Sequence, residues 1–533
     1  MLSSRSIAAF LLLLLLGCDR DPQRGASGAQ GPQKTPTRPP LDLDRGATPP
    51  DATAWTQQHT DLVRDRCTPC HLLPPVDALP RDRWRETIAT MGAMPLPEGV
   101  APLTADEGRL ALAYYERRAP EVLPNMRNPI DVGAGTARGF RVQHFTPRGL
   151  ENERVPAVSH VAAVRLHKPD RWDLLVSEMR TSTAMVLTPW SPAQAQLRPL
   201  RNGLNYPAFT QLADLDGDGR PDLLTAALGS MNPTEQRLGS VLWSRQAEQP
   251  GFHAARPLAA ELGRVAALQC ADLDGDGDQD VVAAAFGLHQ SGELVLLRNQ
   301  SGADGKLRLQ KSVLDPRDGY LGVEIWDVNG DQRLDIVTLL AQEHEEIVVY
   351  LQGANGDFAP QIVHKAPHPG WGYSSMQAMD MDGDGDRDLL VTNGDTLDND
   401  QLKPYHGVAW FEKQDGLTFV EHRIGALHGC ERAVAADIDG DGDLDAVAVS
   451  FLPHLPLDVW QARNLDSVVW FERDGSDWHR HVIERQRCIH AAVAANDFDG
   501  DGKVDIAVGN FVWMLEDDQP ALRSDYLTLF TQE

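Results

Sequence analysis

Short apolar runs follow short acidic stretches at a steady interval along most of this chain. Asp280 opens Asp-Val-Val-Ala-Ala-Ala and Asp445 opens Asp-Ala-Val-Ala-Val. Further on, several copies show a second apolar strand: Leu294-Val-Leu-Leu297, Val408-Ala-Trp-Phe411 and Val468-Val-Trp-Phe471. The acidic stretch is Asp214-Leu-Asp216-Gly-Asp218-Gly-Arg-Pro-Asp222. It returns at Asp272, Asp327, Asp380, Asp437 and Asp497, with starts 58, 55, 53, 57 and 60 residues apart. Strands punctuated by turns at this period predict propeller blades of about four strands each. A seventh copy is degenerate: Val164 to Val176 keeps Asp173 and the apolar strand, but Arg165, His167 and Pro169 replace the acids. Seven units then fill residues 139–533 as an all-β propeller. The chain ends in Tyr526-Leu-Thr-Leu-Phe530 with no outer strand after it, and Gly139 to Phe145 reads as that missing strand. The first strand is therefore expected to complete the last blade and close the ring.

The period changes before residue 139. Trp55, His59, Leu62 and Val63 recur at helical spacing and lead into Cys67, and Trp84, Ile88 and Met91 repeat the pattern. Thr104-Ala-Asp-Glu107 is a capping-box signature; the helix it opens carries Leu110, Leu112, Tyr114 and Tyr115, and Pro120 stops it. Residues 55–124 thus predict a small all-α domain, joined to the propeller by a linker over 125–138. Residues 18–54, rich in Pro, Gly, Gln, Thr and Asp, predict a disordered tether. Residues 1–17 hold Arg5 and an apolar run from Ile7 to Leu16, the length of a signal peptide and too short to span a bilayer.

With 533 residues, 42% hydrophobic and 24% charged, the composition is that of a multidomain globular protein. The net charge of −28 argues against nucleic acid or an anionic surface as partner. The acids concentrate in the repeats, and that concentration has a chemical purpose. Carboxylates at loop positions 1, 3, 5 and 9, with a carbonyl from position 7, suit a hard cation such as calcium, and glycine at position 6 permits the sharp turn. The loops are not EF-hands, which need Glu at position 12, where the first loop has Thr225. About six calcium ions would offset roughly twelve negative charges.

These loops resemble the calcium-binding β-hairpin loops of FG-GAP and VCBS repeats, as in integrin α propellers. Carried over by position, the resemblance implies as ligands Asp214, Asp216, Asp218 and Asp222; Asp272, Asp274, Asp276 and Asp280; Asp380, Asp382, Asp384 and Asp388; Asp437, Asp439, Asp441 and Asp445; and Asp497, Asp499, Asp501 and Asp505. The third complete loop has Asp327, Asn329, Asp331 and Asp335, with Gln332 where glycine is expected, so weaker binding is expected there.

Cys67-Thr-Pro-Cys70-His71 has the C-x-x-C-H spacing at which haem is covalently attached. The two thiols add to the haem vinyl groups and His71 is placed to ligate the iron. A zinc site wants a second ligand pair nearby and a thioredoxin-like motif wants a βαβ context; neither is present. With Pro74, Pro75, Trp84 and Met91 following the motif, residues 55–124 resemble the monohaem cytochrome c domains fused to FG-GAP-type repeats in some bacterial surface proteins. That resemblance implies one haem c and Met91 as the distal ligand. Met94 is the alternative, and His59 a third candidate. Leu15-Leu16-Gly17-Cys18 resembles a bacterial lipobox, which implies that Cys18 becomes a lipidated N-terminus. The protein would then be tethered to a bacterial membrane by lipid alone, on the periplasmic face or the cell surface.

Of the other cysteines, Cys430 and Cys488 precede the metal loops of adjacent blades at similar offsets, and a disulfide between them is an option; Cys270 stands alone. His160, His428, His490, Arg432 and Glu324 fall near the mouth of the central tunnel, where ordinary loop polarity explains them as well as a ligand does. Three functional readings follow. The favoured one is a tethered c-type cytochrome whose propeller docks a redox partner protein or small electron donor or acceptor. The second makes the propeller an oxidoreductase that feeds the haem. The third is an adhesion protein with accessory haem.

Overall fold

The structure, a computed structural model, describes residues 39–45, 47–69, 73–93, 96, 99–123, 139–147, 155–190, 195–248, 251–288, 290–301, 306–342, 344–396, 401–455, 457–513 and 525–533. Cys18, Cys70, His71 and Met94 lie outside these residues.

Seven four-stranded antiparallel sheets account for all the named strands. In blade three the strands run Val265–Ala271, Asp280–Ala285, Glu293–Asn299 and Leu309–Asp315, paired in that order from the inside outwards. The innermost strands form a ring, each meeting the innermost strand of the next blade. The second strand of every blade, from Asp173–Glu178 in blade one to Asp505–Asn510 in blade seven, is buried along its whole length. A strand covered on both faces by neighbouring blades needs an unbroken apolar run, and that run is what the repeat displays. The outer strands, such as Leu309–Asp315, are largely exposed and polar. The core lies between blades: Val282, Ala284, Leu294 and Leu296 of blade three pack on Tyr320, Val323, Ile336, Leu340 and Val348 of blade four. The structure is therefore a seven-bladed β-propeller.

The ring closes as the pattern predicts. Phe140–Phe145 pairs antiparallel with Leu527–Gln532, from Phe140 opposite Gln532 to Phe145 opposite Leu527, as the outer strand of blade seven. Gly139 O also accepts from Glu533 N at 2.6 Å.

Before the propeller, three short helices surround one apolar cluster: α1 (Gln57–Cys67), α2 (Trp84–Met91) and α3 (Ala105–Glu116). The cluster includes Val63, Trp84, Ile88, Leu110, Leu112 and Tyr115. Trp84 stacks on Tyr115 with ring centres 3.6 Å apart, and the Tyr115 hydroxyl donates to Pro74 O at 2.9 Å. Thr104 and Glu107 form the expected capping box, with Glu107 N donating to Thr104 Oγ1 at 3.2 Å and Thr104 N to Glu107 Oε2 at 2.8 Å.

One boundary is corrected. The tether expected over 18–54 is ordered in its last third. Leu43 is buried in the helical cluster, Leu41 packs beside it, and Leu41 N donates to Ala89 O at 3.0 Å. A β-carbon at Gly108 would collide with both leucines. The polar composition of the segment hid a Leu-x-Leu pair large enough to anchor it. Among the described residues no helix is long and apolar enough to cross a membrane.

Candidate functional site

The first carboxylate of each acidic loop organises the backbone around it. In blade three one Asp272 oxygen accepts from Gly275 N at 2.8 Å and Asp276 N at 3.2 Å, and the other accepts from Gly277 N at 2.9 Å. Asp214, Asp327, Asp380, Asp437 and Asp497 make bonds of the same kind. The turn needs positive φ at positions 4 and 6, which Gly275 (75°) and Gly277 (92°) adopt without strain. The fifth residue then accepts from the seventh amide, as Asp276 does from Asp278 N at 2.9 Å.

This folding brings three carboxylate oxygens to within 4.8 Å of one another in five loops. The groups are Asp214, Asp216 and Asp218; Asp272, Asp274 and Asp276; Asp380, Asp382 and Asp388; Asp437, Asp439 and Asp441; and Asp497, Asp499 and Asp501. An oxygen-only, multiply charged donor set fits a hard divalent cation such as calcium. In blade two Arg245 pairs with Asp216 and Asp218, and in blade three Arg298 pairs with Asp274. Among the described residues no ion pair reaches the carboxylates of 380–388, 437–445 or 497–505, so those loops carry less compensated charge than the loops of blades two and three. Blade four departs from the pattern: Arg333 pairs with Asp331, Gln332 sits at φ 69°, and Asp327, Asp331 and Asp335 form no such group.

The ninth carboxylate has a task that the loop pattern alone does not reveal. In blades three to seven one of its oxygens accepts from the second amide of its own loop. The other accepts from an amide at the end of the third strand. For Asp445 these are Ile438 N at 3.0 Å and Arg473 N at 2.8 Å. Asp280, Asp335, Asp388 and Asp505 repeat the arrangement. Of the six candidate ligands at this position only Asp388 joins a three-oxygen group. Burial pushes Asp280 and Asp505 up to about 6 and Asp445 up to about 7. In degenerate blade one Asp173 accepts from His167 N at 3.0 Å and Trp190 Nε1 at 3.3 Å. That backbone-tying role explains why Asp173 stays where the other acids are gone.

Cys67 ends α1 and is one of the partly buried side chains packed on the helical cluster, as are Trp55, Leu73, Val76 and Tyr114. Burial pushes its thiol up to about 11. A cysteine half-buried at the end of a helix against an apolar cluster is chemically suited to a thioether link. Met91, at the end of α2, is half-buried. His59 is engaged elsewhere: its Nδ1 accepts from Thr56 N at 3.0 Å as a helix cap and its ring lies 5.4 Å from that of Trp55.

The tunnel residues separate into tied and untied groups. His490 is fully buried between Glu484 Oε2 at 2.5 Å and Asn510 Oδ1 at 2.8 Å, so it is not free to hold a ligand. Glu324 accepts from Ala378 N of the next blade at 3.4 Å, and burial pushes it up to about 7. Gln377 likewise accepts from Ala435 N at 3.0 Å. Gln211, Gln269, Glu324 and Gln377 each stand three residues before the first Asp of their loop, a register that sequence reasoning had available and missed. His428 has a buried Nδ1 without a partner, and burial pushes the ring down to about 4. The disulfide option is corrected: Cys430 and Cys488 are free, fully buried thiols in separate apolar clusters. Burial pushes Cys488 up to about 12.

Comparison with known proteins agrees with the repeat. The FG-GAP-like repeat model matches residues 214–283, 272–338 and 327–391, spans that run from an acidic loop into the following blades. The chain therefore carries FG-GAP-like repeats within a seven-bladed β-propeller. No curated protein matches it. Among solved structures it is similar to the V. cholerae biofilm matrix protein Bap1, at 11% identity and a TM-score of 0.38, over 74% of this chain and 91% of that one.

Proposed function

We propose that this chain is an extracytoplasmic electron-transfer protein. Its helical unit holds one covalent haem c, and its calcium-stabilised propeller presents the docking surface for a redox partner. The observation that carries the reading is Cys67 at the end of α1, first residue of the C-x-x-C-H stretch and packed against the apolar helical cluster. Cys67 and Cys70 would hold the haem through thioethers and His71 through the iron, with Met91 as the favoured distal ligand and Met94 the alternative. Bound there, haem supplies one-electron transfer, and a thioether axial ligand raises its potential. Lipidation of Cys18 would hold the protein to a bacterial membrane without a spanning helix. An electron carrier is favoured over a catalytic oxidoreductase, because no nucleophile–base pair accompanies the haem motif.

A pyridine haemochrome assay on protein matured in an extracytoplasmic compartment tests this. One haem per chain is expected, lost on joint Cys67→Ala and Cys70→Ala substitution. No haem, or two per chain, refutes the proposal. For calcium, chelation is expected to lower the melting temperature of the propeller, and an unchanged value refutes that part.

A further inference from the structure

The innermost strands carry one tier of residues five positions before the first residue of each loop: His160, Phe209, Ala267, Gly322, Ser375, Arg432 and Ala492. In all seven blades this residue directly follows a register shift in the pairing with the second strand. Its members with nitrogen-bearing side chains are Arg432 of blade six and His160 of blade one. Among the described residues the Arg432 side chain makes no hydrogen bond or ion pair, and its buried Nε has no partner. His160 is 7% exposed, its ring lies 4.2 Å from Phe209, and its Nδ1 is also buried and unpartnered. Burial first, then the charge of Arg432, pushes His160 down to about 3. Both residues belong to the same tier of the innermost-strand ring, and the charge of Arg432 bears on His160 although blade seven lies between their blades.

Arg432 is half-buried with its Nε enclosed, and a partly desolvated guanidinium without a counter-charge is costly. Among the described residues no acidic side chain forms an ion pair with Arg432. The nearest candidate, Glu431, is pushed up to about 8 by burial and by Asp395, so it is mostly protonated at neutral pH and offsets little of the charge. Arg432 offers a forked donor suited to a planar oxyanion, and neutral His160 offers a further N–H. We infer that the central channel of the propeller holds a small oxyanion, a carboxylate or a phosphate, anchored by Arg432 and contacted by His160. This goes beyond the electron-transfer reading and does not depend on haem.

Calorimetric titration of the full chain with sodium acetate, and separately with inorganic phosphate, in low-salt buffer tests the inference and separates the two chemistries. At least one anion is expected to bind. Loss of charge-assisted hydrogen bonds predicts an affinity reduced roughly 10- to 100-fold in Arg432→Met and about 5-fold in His160→Ala. Binding of neither anion, or binding unchanged in Arg432→Met, overturns it. Thermal melting in anion-poor buffer guards against a folding defect. Arg432→Met is expected to melt no lower than the parent, since it removes a half-buried charge that no described acidic side chain pairs with. A fall of several degrees would mean that the arginine has an internal partner, and would also overturn the inference.

Discussion

Positions 3 and 9 of one acidic loop are expected to respond oppositely to calcium, and blade six offers the cleanest comparison. Asp445, at position 9, is fully buried and accepts from Ile438 N at 3.0 Å and Arg473 N at 2.8 Å. Asp445→Ala leaves both buried amides unpaired, at about 1–3 kcal/mol each, so a loss of about 2–6 kcal/mol is expected with or without calcium. Asp439, at position 3, is exposed, and its carboxyl is pushed up by partial burial and by the neighbouring carboxylates Asp441, Glu472 and Asp437. Asp439→Asn relieves repulsion, so without calcium it is expected to be neutral or slightly stabilising. With calcium it loses a charged ligand, and the added stability from the ion, RT ln(1 + [L]/Kd), shrinks. The assay is urea unfolding of parent and both variants, each in excess calcium and in excess chelator. Equal losses for Asp439→Asn in the two conditions would refute the metal argument. A calcium-dependent loss for Asp445→Ala alone would refute the backbone-tying argument.

In blade four Gln332 adopts φ 69° where the other loops have glycine, so Gln332→Gly is expected to stabilise by about 0.5–1 kcal/mol, read as a rise in the urea midpoint; destabilisation would contradict the strain argument. Leu43→Ala is expected to cost about 2–4 kcal/mol in the unfolding of the helical unit, because Leu43 is 5% exposed within its core; no effect would mean that the segment is not docked. Burial and Asp395 push Glu431 up to about 8 against an ordinary value near 4.5, so the folded state binds the extra proton between those values. Its contribution to stability is therefore lost as pH rises from about 4.5 to about 8, and Glu431→Gln is expected to flatten the decline in melting temperature across that range; an unaltered profile would show the carboxyl to be solvated.

The repeats were legible because their physics is local. A carboxylate that caps its own loop, glycines that accept positive φ and a strand apolar on both faces each act within about fifteen residues, so each leaves a mark in the linear order. The strand Phe140–Phe145 was legible for the same reason: the final repeat visibly lacked its outer member. The capping box at Thr104 and Glu107 is equally local. Other features required distant parts of the chain to meet. Leu41 and Leu43 look like spacer residues until α2 and α3 provide a surface for them. Asp445 looks like one more metal ligand until the end of the third strand arrives at Arg473 N. Cys430 and Cys488 have matching offsets, yet adjacent blades bury them in different clusters, and offset along a strand does not determine which neighbour a side chain faces. Arg432 was placed near the tunnel mouth by its position in the repeat, but only the fold shows that its enclosed Nε has no partner. The sequence by itself determined the number of blades, the metal-like loops, the ring closure and the C-x-x-C-H motif. Only the tertiary structure decided which carboxylates hold backbone and which are free, and which charge stands unpaired in the channel. Pairing and burial are properties of three-dimensional neighbours, and a closed ring brings together blades six and one, almost three hundred residues apart.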